Sequence, residues 1–162
     1  MRKKTTLALI LMMNLACAMA QKSGTTGPLS WNYNETSKEL TITGNGAMPN
    51  YDYGAAPWQE YQEGIETVNV GSGVTSIGSN AFCNCIYMTT LSLPAGMETI
   101  GDNAFGWCQN LSSLTVRVAD PATIELGLIP FFRGANAVDC TLRVPVGSKT
   151  KYENANLWKD FA

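Results

Sequence analysis

The segment Val74-Thr-Ser-Ile-Gly-Ser-Asn-Ala-Phe-Cys-Asn-Cys85 returns, at an offset of 23, as Met97-Glu-Thr-Ile-Gly-Asp-Asn-Ala-Phe-Gly-Trp-Cys108. The same offset pairs Ile77 with Ile100, Phe82 with Phe105, Cys85 with Cys108, Leu91 with Leu114 and Leu93 with Val116. It extends backward, with Ile65, Val68, Val70 and Gly73 standing before Met88, Leu91, Leu93 and Gly96. Forward it loosens: Val144 follows Val116 at a wider interval, with Phe131 or Phe132 as the nearest replacement for Phe105, so the last coil carries an insertion. Self-similarity at such a period marks stacked supersecondary units, because one short unit cannot bury an apolar face alone and its neighbours must supply the contacts.

The recurring positions describe the unit. Leu91 and Leu93 alternate with Thr90 and Ser92 as in a half-buried strand, whereas Ala81, Phe82 and Cys85 have helical or turn spacing. One repeat is therefore read as a short strand, a turn and a partly helical return. With Leu91, Leu93, Leu114 and Val116 inward, the opposite face shows Thr90, Ser92, Ser113 and Thr115, continued one coil earlier by Thr67 and Asn69. That face is expected to be a smooth ladder of small hydrogen-bonding side chains, without anchors of its own.

The pattern Ile-Gly-x-Asn-Ala-Phe-x-x-Cys-x-x-Leu/Met-x-x-Leu-x-Leu resembles the leucine-rich repeat of bacterial BspA-like surface proteins, strictly over residues 65–116. The flanks resemble the same family, through Leu40 to Pro49 and Pro57-Trp58 before the repeats and Leu142 to Gly147 with Tyr152, Trp158 and Phe161 after them. The resemblance implies a small, mainly β, right-handed leucine-rich-repeat solenoid of about 3–4 coils with short helical or turn returns and a cap at each end. It also implies an exported or surface-exposed binding protein. The expected division is a signal peptide at 1–20, an N-terminal cap at 21–64, repeats at 65–119, and an irregular last coil with C-terminal cap at 120–162.

The leader reading rests on Arg2, Lys3 and Lys4 ahead of the apolar run Leu7 to Met13, with Ala18-Met19-Ala20 as a small-residue cleavage site. Cleavage is expected after Ala20. Lipidation at Cys17 is the lesser alternative, because Asn14 stands where a lipoprotein signal carries Leu, and Leu7 to Ala20 is too short for a stable membrane span. Removing the leader takes three of the 11 basic residues and leaves 8 against 13 acidic ones. Such an acidic chain without a basic cluster is not a nucleic-acid partner. The chain contains no His, which removes Ser-His-Asp and Cys-His sets and every imidazole metal ligand. No catalytic residue, metal or cofactor is expected.

Cys83, Cys85, Cys108 and Cys140 outlast the leader. Equivalent repeat positions for Cys85 and Cys108 suit buried free thiols, with a bridge between them as the alternative. Glu60, Glu63 and Glu66 have helical spacing, but Gln59, Gln62 and Gly64 around them suggest a wet turn rather than an acid–base pair. Trp31, Tyr33, Trp58 and Tyr61 read as plugs for the open solenoid end, leaving Tyr51 and Tyr53 as the exposed aromatic pair.

Comparing the two repeats isolates positions that the fold does not dictate: Trp107 replaces Asn84, and Tyr87 is replaced by Asn110. Tyr87 and Trp107 are the candidate anchors, flanked by Thr90, Ser92, Ser113 and Thr115. The leading expectation is a monomeric, non-enzymatic module that binds an extracellular or surface protein or glycan. A lectin-like protein using Tyr51 and Tyr53, and a structural subunit of a surface assembly, are the rivals.

Overall fold

The computed structural model describes residues 21–134 and 137–161. The leader read at 1–20, with its cleavage site and Cys17, lies outside the described residues. Eleven strands are described: β1 (Gln21–Thr26), β2 (Leu29–Asn34), β3 (Glu39–Gly44), β4 (Gly46–Ala47), β5 (Thr67–Val70), β6 (Val74–Ile77), β7 (Thr90–Leu93), β8 (Thr99–Ile100), β9 (Ser113–Val116), β10 (Glu125–Leu126) and β11 (Thr141–Arg143). One α-helix follows, α1 (Lys149–Asn154).

Among the described residues a long sheet runs in the order β1-β2-β3-β5-β7-β9-β11 and a short one in the order β10-β8-β6-β4. From β3 onward the long sheet is parallel and in register, with Val68 opposite Leu91, Leu91 opposite Leu114 and Leu114 opposite Leu142. Each coil contributes one strand to each sheet, and the result is a β-solenoid of about four turns. Parallel stacking makes a fixed period necessary, since only a constant coil length brings Leu onto Leu in every layer. The parallel register begins at β3, ahead of the residues where spacing alone marks repeats. Among the described residues the β1–β2 and β2–β3 pairings are antiparallel.

The return differs from the expected partly helical path. Residues 78–87 and 101–110 contain no regular helix. Asn80 and Asn84 in one coil, and Asn103 and Trp107 in the next, adopt positive φ of 54–64°, a conformation that ends helical continuation at each of them. Alternate N–H groups along this turn wall donate to the following coil instead: Phe82 to Ala104 O and Asn84 to Gly106 O at 2.8 Å, then Phe105 to Phe131 O at 2.8 Å and Trp107 to Arg133 O at 2.7 Å. The wall is thus a third hydrogen-bonded side of the solenoid.

Inside, Trp58, Phe82, Phe105 and Phe132 form a column of stacked rings with centroids 5.3, 5.5 and 5.2 Å apart. The caps finish both ends of it. Trp31, with Tyr51 and Tyr61 alongside, packs the N-terminal end around Trp58, whose Nε1 donates to Ala81 O at 2.8 Å. Phe161 sits against Phe132, and Trp158 against Phe131, at the C-terminal end. Tyr152 donates to Val118 O at 2.9 Å and fixes α1 over the last layer.

Candidate functional site

Strand alternation puts Thr67, Asn69, Thr90, Ser113 and Thr115 on the outer face of the long sheet, each half-buried by its neighbours. Ser92 departs from the expected ladder. It is only 8% exposed, because the Arg117 side chain lies across it and donates to its hydroxyl. Arg143 donates in the same diagonal way to Ser113, and Asn69 donates to the Glu39 carboxylate. Rows of small polar groups are thus overlaid by charged side chains, acidic at the β3 end and basic at the β9 and β11 end. Arg117 stands two residues beyond Thr115 and Arg143 two beyond Thr141, and this i+2 spacing was the available signal that they share the outer face.

The turn wall carries the large exposed side chains. Tyr87 is 49% and Trp107 42% exposed. Tyr87 shares its repeat position with Asn110, whose amide donates to Ile86 O at 2.7 Å, and Trp107 shares its position with Asn84. Both therefore sit in successive coils, on the stretch that leads from the turn wall into the long sheet. Trp107 holds φ at 63°, where a bulky L-residue is costly and where the preceding coil uses Asn at 64°. Its ring lies across Gly134, and a Cβ there would collide with it.

Tyr51 and Tyr53 do not form an exposed pair. The Tyr51 ring meets Trp58 edge-on and its hydroxyl bonds to Thr26, which leaves it half-buried in the N-terminal cap; Tyr53 is 68% exposed. Spacing could not separate them, because both lie in an irregular loop where direction depends on the cap they border. Glu60, Glu63 and Glu66 are all exposed, and the 3₁₀ turn beneath them covers only Gln59–Tyr61, so they do not line one side of a helix.

All four cysteines among the described residues are free and buried. Burial, with the nearby Cys83 thiol, pushes Cys85 up to about 12, and burial carries Cys108 well above its ordinary value. The Cys108 thiol donates to Phe82 O at 3.2 Å. Held protonated and covered, these thiols are packing groups rather than nucleophiles. Among the described residues no cluster of three or more His, Cys, Asp or Glu is placed to hold a metal ion, and no helix is long and apolar enough to cross a membrane.

Residues 60–126 match the family described as BspA type leucine rich repeat region, with six copies. No curated protein matches the chain. Among solved structures, a leucine-rich repeat protein from Eubacterium ventriosum superposes with a TM-score of 0.55 at 25% identity, over 79% of this chain and 41% of that one. The chain thus spans less than half the length of that protein. The fold is that of a leucine-rich repeat solenoid, and its residues 60–126 are similar to the BspA type.

Proposed function

We propose that this chain is an exported, non-enzymatic module that binds a protein ligand outside the cytoplasm, along the seam between the long sheet and the turn wall. Trp107 carries this reading. A half-exposed indole is kept at positive φ, at a position the neighbouring coil fills with Asn; its ring packs across Gly134 yet stays 42% exposed, which leaves surface for a ligand. Tyr87 lies on the same stretch of the preceding coil and adds a second aromatic anchor. Thr90, Ser113 and Thr115 border them with hydrogen-bonding groups, while Arg117 supplies charge and covers Ser92. The leader pattern at 1–20 supports export, and repeat modules of this kind suit interaction or adhesion at a cell surface.

The test is capture of a partner from an extracellular extract by the mature domain, followed by affinity measurement with Tyr87→Ala, Trp107→Ala and the double variant. The double variant should lose more than ~2 kcal/mol of binding with thermal stability nearly unchanged. Unaltered affinity per folded molecule would place the site elsewhere. Tyr53 supports a second, glycan-binding reading, being the most exposed ring of the N-terminal cap loop. A glycan array retaining the parent domain but not Tyr53→Ala would favour it.

A further inference from the structure

Among the described residues β11 is an edge strand, bonded on one side only, to β9. Thr141 N–H donates to Ser112 O at 2.9 Å, so by strand alternation Thr141 and Arg143 direct their backbone groups at β9. Leu142 N–H and C=O, and Val144 N–H, therefore point to the free edge. Beside that edge is a groove of about 1000 Å³, bounded on the far side by α1 and the Trp158–Phe161 turn. Leu142, Val144 and Phe161 give it an apolar floor, and Arg143, Lys149 and Lys159 stand around it as exposed cations. Glu153 also lines it and lies 3.5 Å from Lys149, leaving the rim net positive.

We propose that this groove binds an extended, carboxylate-bearing segment of a partner protein, which adds to the long sheet as an eighth strand. Charge identifies the occupant. Half of the basic residues beyond the leader, Arg143, Lys149, Lys151 and Lys159, gather at this one end of an otherwise acidic chain. Lys151 is held by Asp120 at 2.8 Å; Arg143, Lys149 and Lys159 line the groove, Arg143 while donating to Ser113 and Lys149 beside Glu153. The unpaired backbone groups call for an extended chain rather than a helix, and alternate side chains of that chain would enter the apolar floor. Lysines beside an open edge also repel a second copy, but repulsion does not require an apolar trough between them. A second copy would bring its own free edge, β1, whose Gln21–Thr26 sequence carries Lys22 and no carboxylate.

The probe is the capped heptapeptide acetyl-EVDIEVD-amide, titrated into the isotope-labelled mature chain and followed by amide chemical shifts and calorimetry. Saturable shifts and slowed hydrogen exchange at Leu142 and Val144 are expected, with binding that weakens as salt rises. Lys149→Ala/Lys159→Ala, at exposed positions, should reduce affinity by about tenfold at unchanged melting temperature. The same peptide N-methylated at alternate residues should not bind, because strand pairing is blocked without touching the protein. Equal binding of a lysine-substituted peptide, shifts centred on Tyr87 and Trp107, or no binding at millimolar peptide would each overturn the proposal. So would concentration-dependent shifts at Leu142 without peptide, which would assign the edge to self-association.

Discussion

Phe105 is the sharpest place to ask whether the aromatic column couples the coils. Its side chain has no exposed surface, and its ring lies 5.5 Å from Phe82 at an interplanar angle of 1° and 5.2 Å from Phe132 at 23°. Phe105→Ala removes most of the ring volume in a layer whose backbone is fixed by bonds to both neighbouring coils, so collapse is restricted and the loss should reach ~3–5 kcal/mol. Phe105→Leu keeps much of the volume but cannot stack. Two ring pairs at ~0.5–1.5 kcal/mol each set its loss at roughly 1–3 kcal/mol. A domain of this size has about 5–15 kcal/mol in total, so the alanine variant should remain folded at low temperature only with a narrow margin. Urea unfolding decides the matter, followed by far-UV circular dichroism and by tryptophan fluorescence, since Trp58 stacks on Phe82 one coil away. The midpoint should fall in the order parent, leucine, alanine with an unchanged denaturant slope. A leucine variant within ~0.5 kcal/mol of the parent would show that stacking adds nothing beyond buried area. A biphasic transition would show coils unfolding separately and would refute coupling through the column.

Thiol reagent at pH 8 should leave Cys85 and Cys108 untouched in the native chain and find them after denaturation; absence of free thiol in denaturant would refute the reduced state. Because burial raises Cys85 from 9.0 to about 12, the fold favours the protonated thiol, so this contribution is fully present below about pH 9 and is lost as pH rises towards 12. Melting temperature should decline over that window, less so in Cys85→Ala, and an identical slope in the variant would sink the assignment. Gly78→Ala should destabilise by more than ~2 kcal/mol, since the new Cβ would collide with the Pro49 carbonyl, while Gly96→Ala, 3.6 Å from Ser72 O, should stay within ~0.5 kcal/mol. Equal thermal shifts for the two would contradict that spacing. Pro130→Asn should be more stable than Pro130→Ala by about 1 kcal/mol, because an amide at residue 130 can donate to the buried, unpartnered Oδ1 of Asn103. Coincident urea midpoints would refute this.

The layered part of the fold was legible because parallel stacking writes itself into sequence as a fixed interval: Leu91 and Leu114 recur where their strands pair. The return was not, for a specific reason. Ala81, Phe82 and Cys85 have the spacing of a helical face, and nothing in that spacing reveals that Asn80 and Asn84 sit at positive φ and break the turn on either side of Phe82. Asn was the only available cue, since its short amide tolerates that conformation. The candidate surface divided along the same line. Tyr87 and Trp107 stood out because two repeats could be compared position by position, whereas the burial of Ser92 depends on Arg117, a residue just past the end of the adjoining strand.

The asparagine row shows how a period can carry both a rule and its ending. Asn80 donates through Nδ2 to Tyr51 O at 2.9 Å, and its Oδ1 accepts from Asn103 Nδ2 at 3.1 Å. Each amide thereby ties its coil to the one before, at the positive-φ turn that only a few residue types tolerate. The Asn80 N–H reaches Asp102 O and the Asn103 N–H reaches Ile129 O, so the next member of the row is Pro130. Proline has no amide to give, and its ring locks φ on the negative side, away from the value the row requires. Asn103 Oδ1 is left buried without a partner at the layer where the coil lengthens and the period loosens. One residue thus ends both the hydrogen-bonded row and the regular turn, and the solenoid beyond it is closed by the aromatic cap of Trp158 and Phe161 rather than by another equal coil.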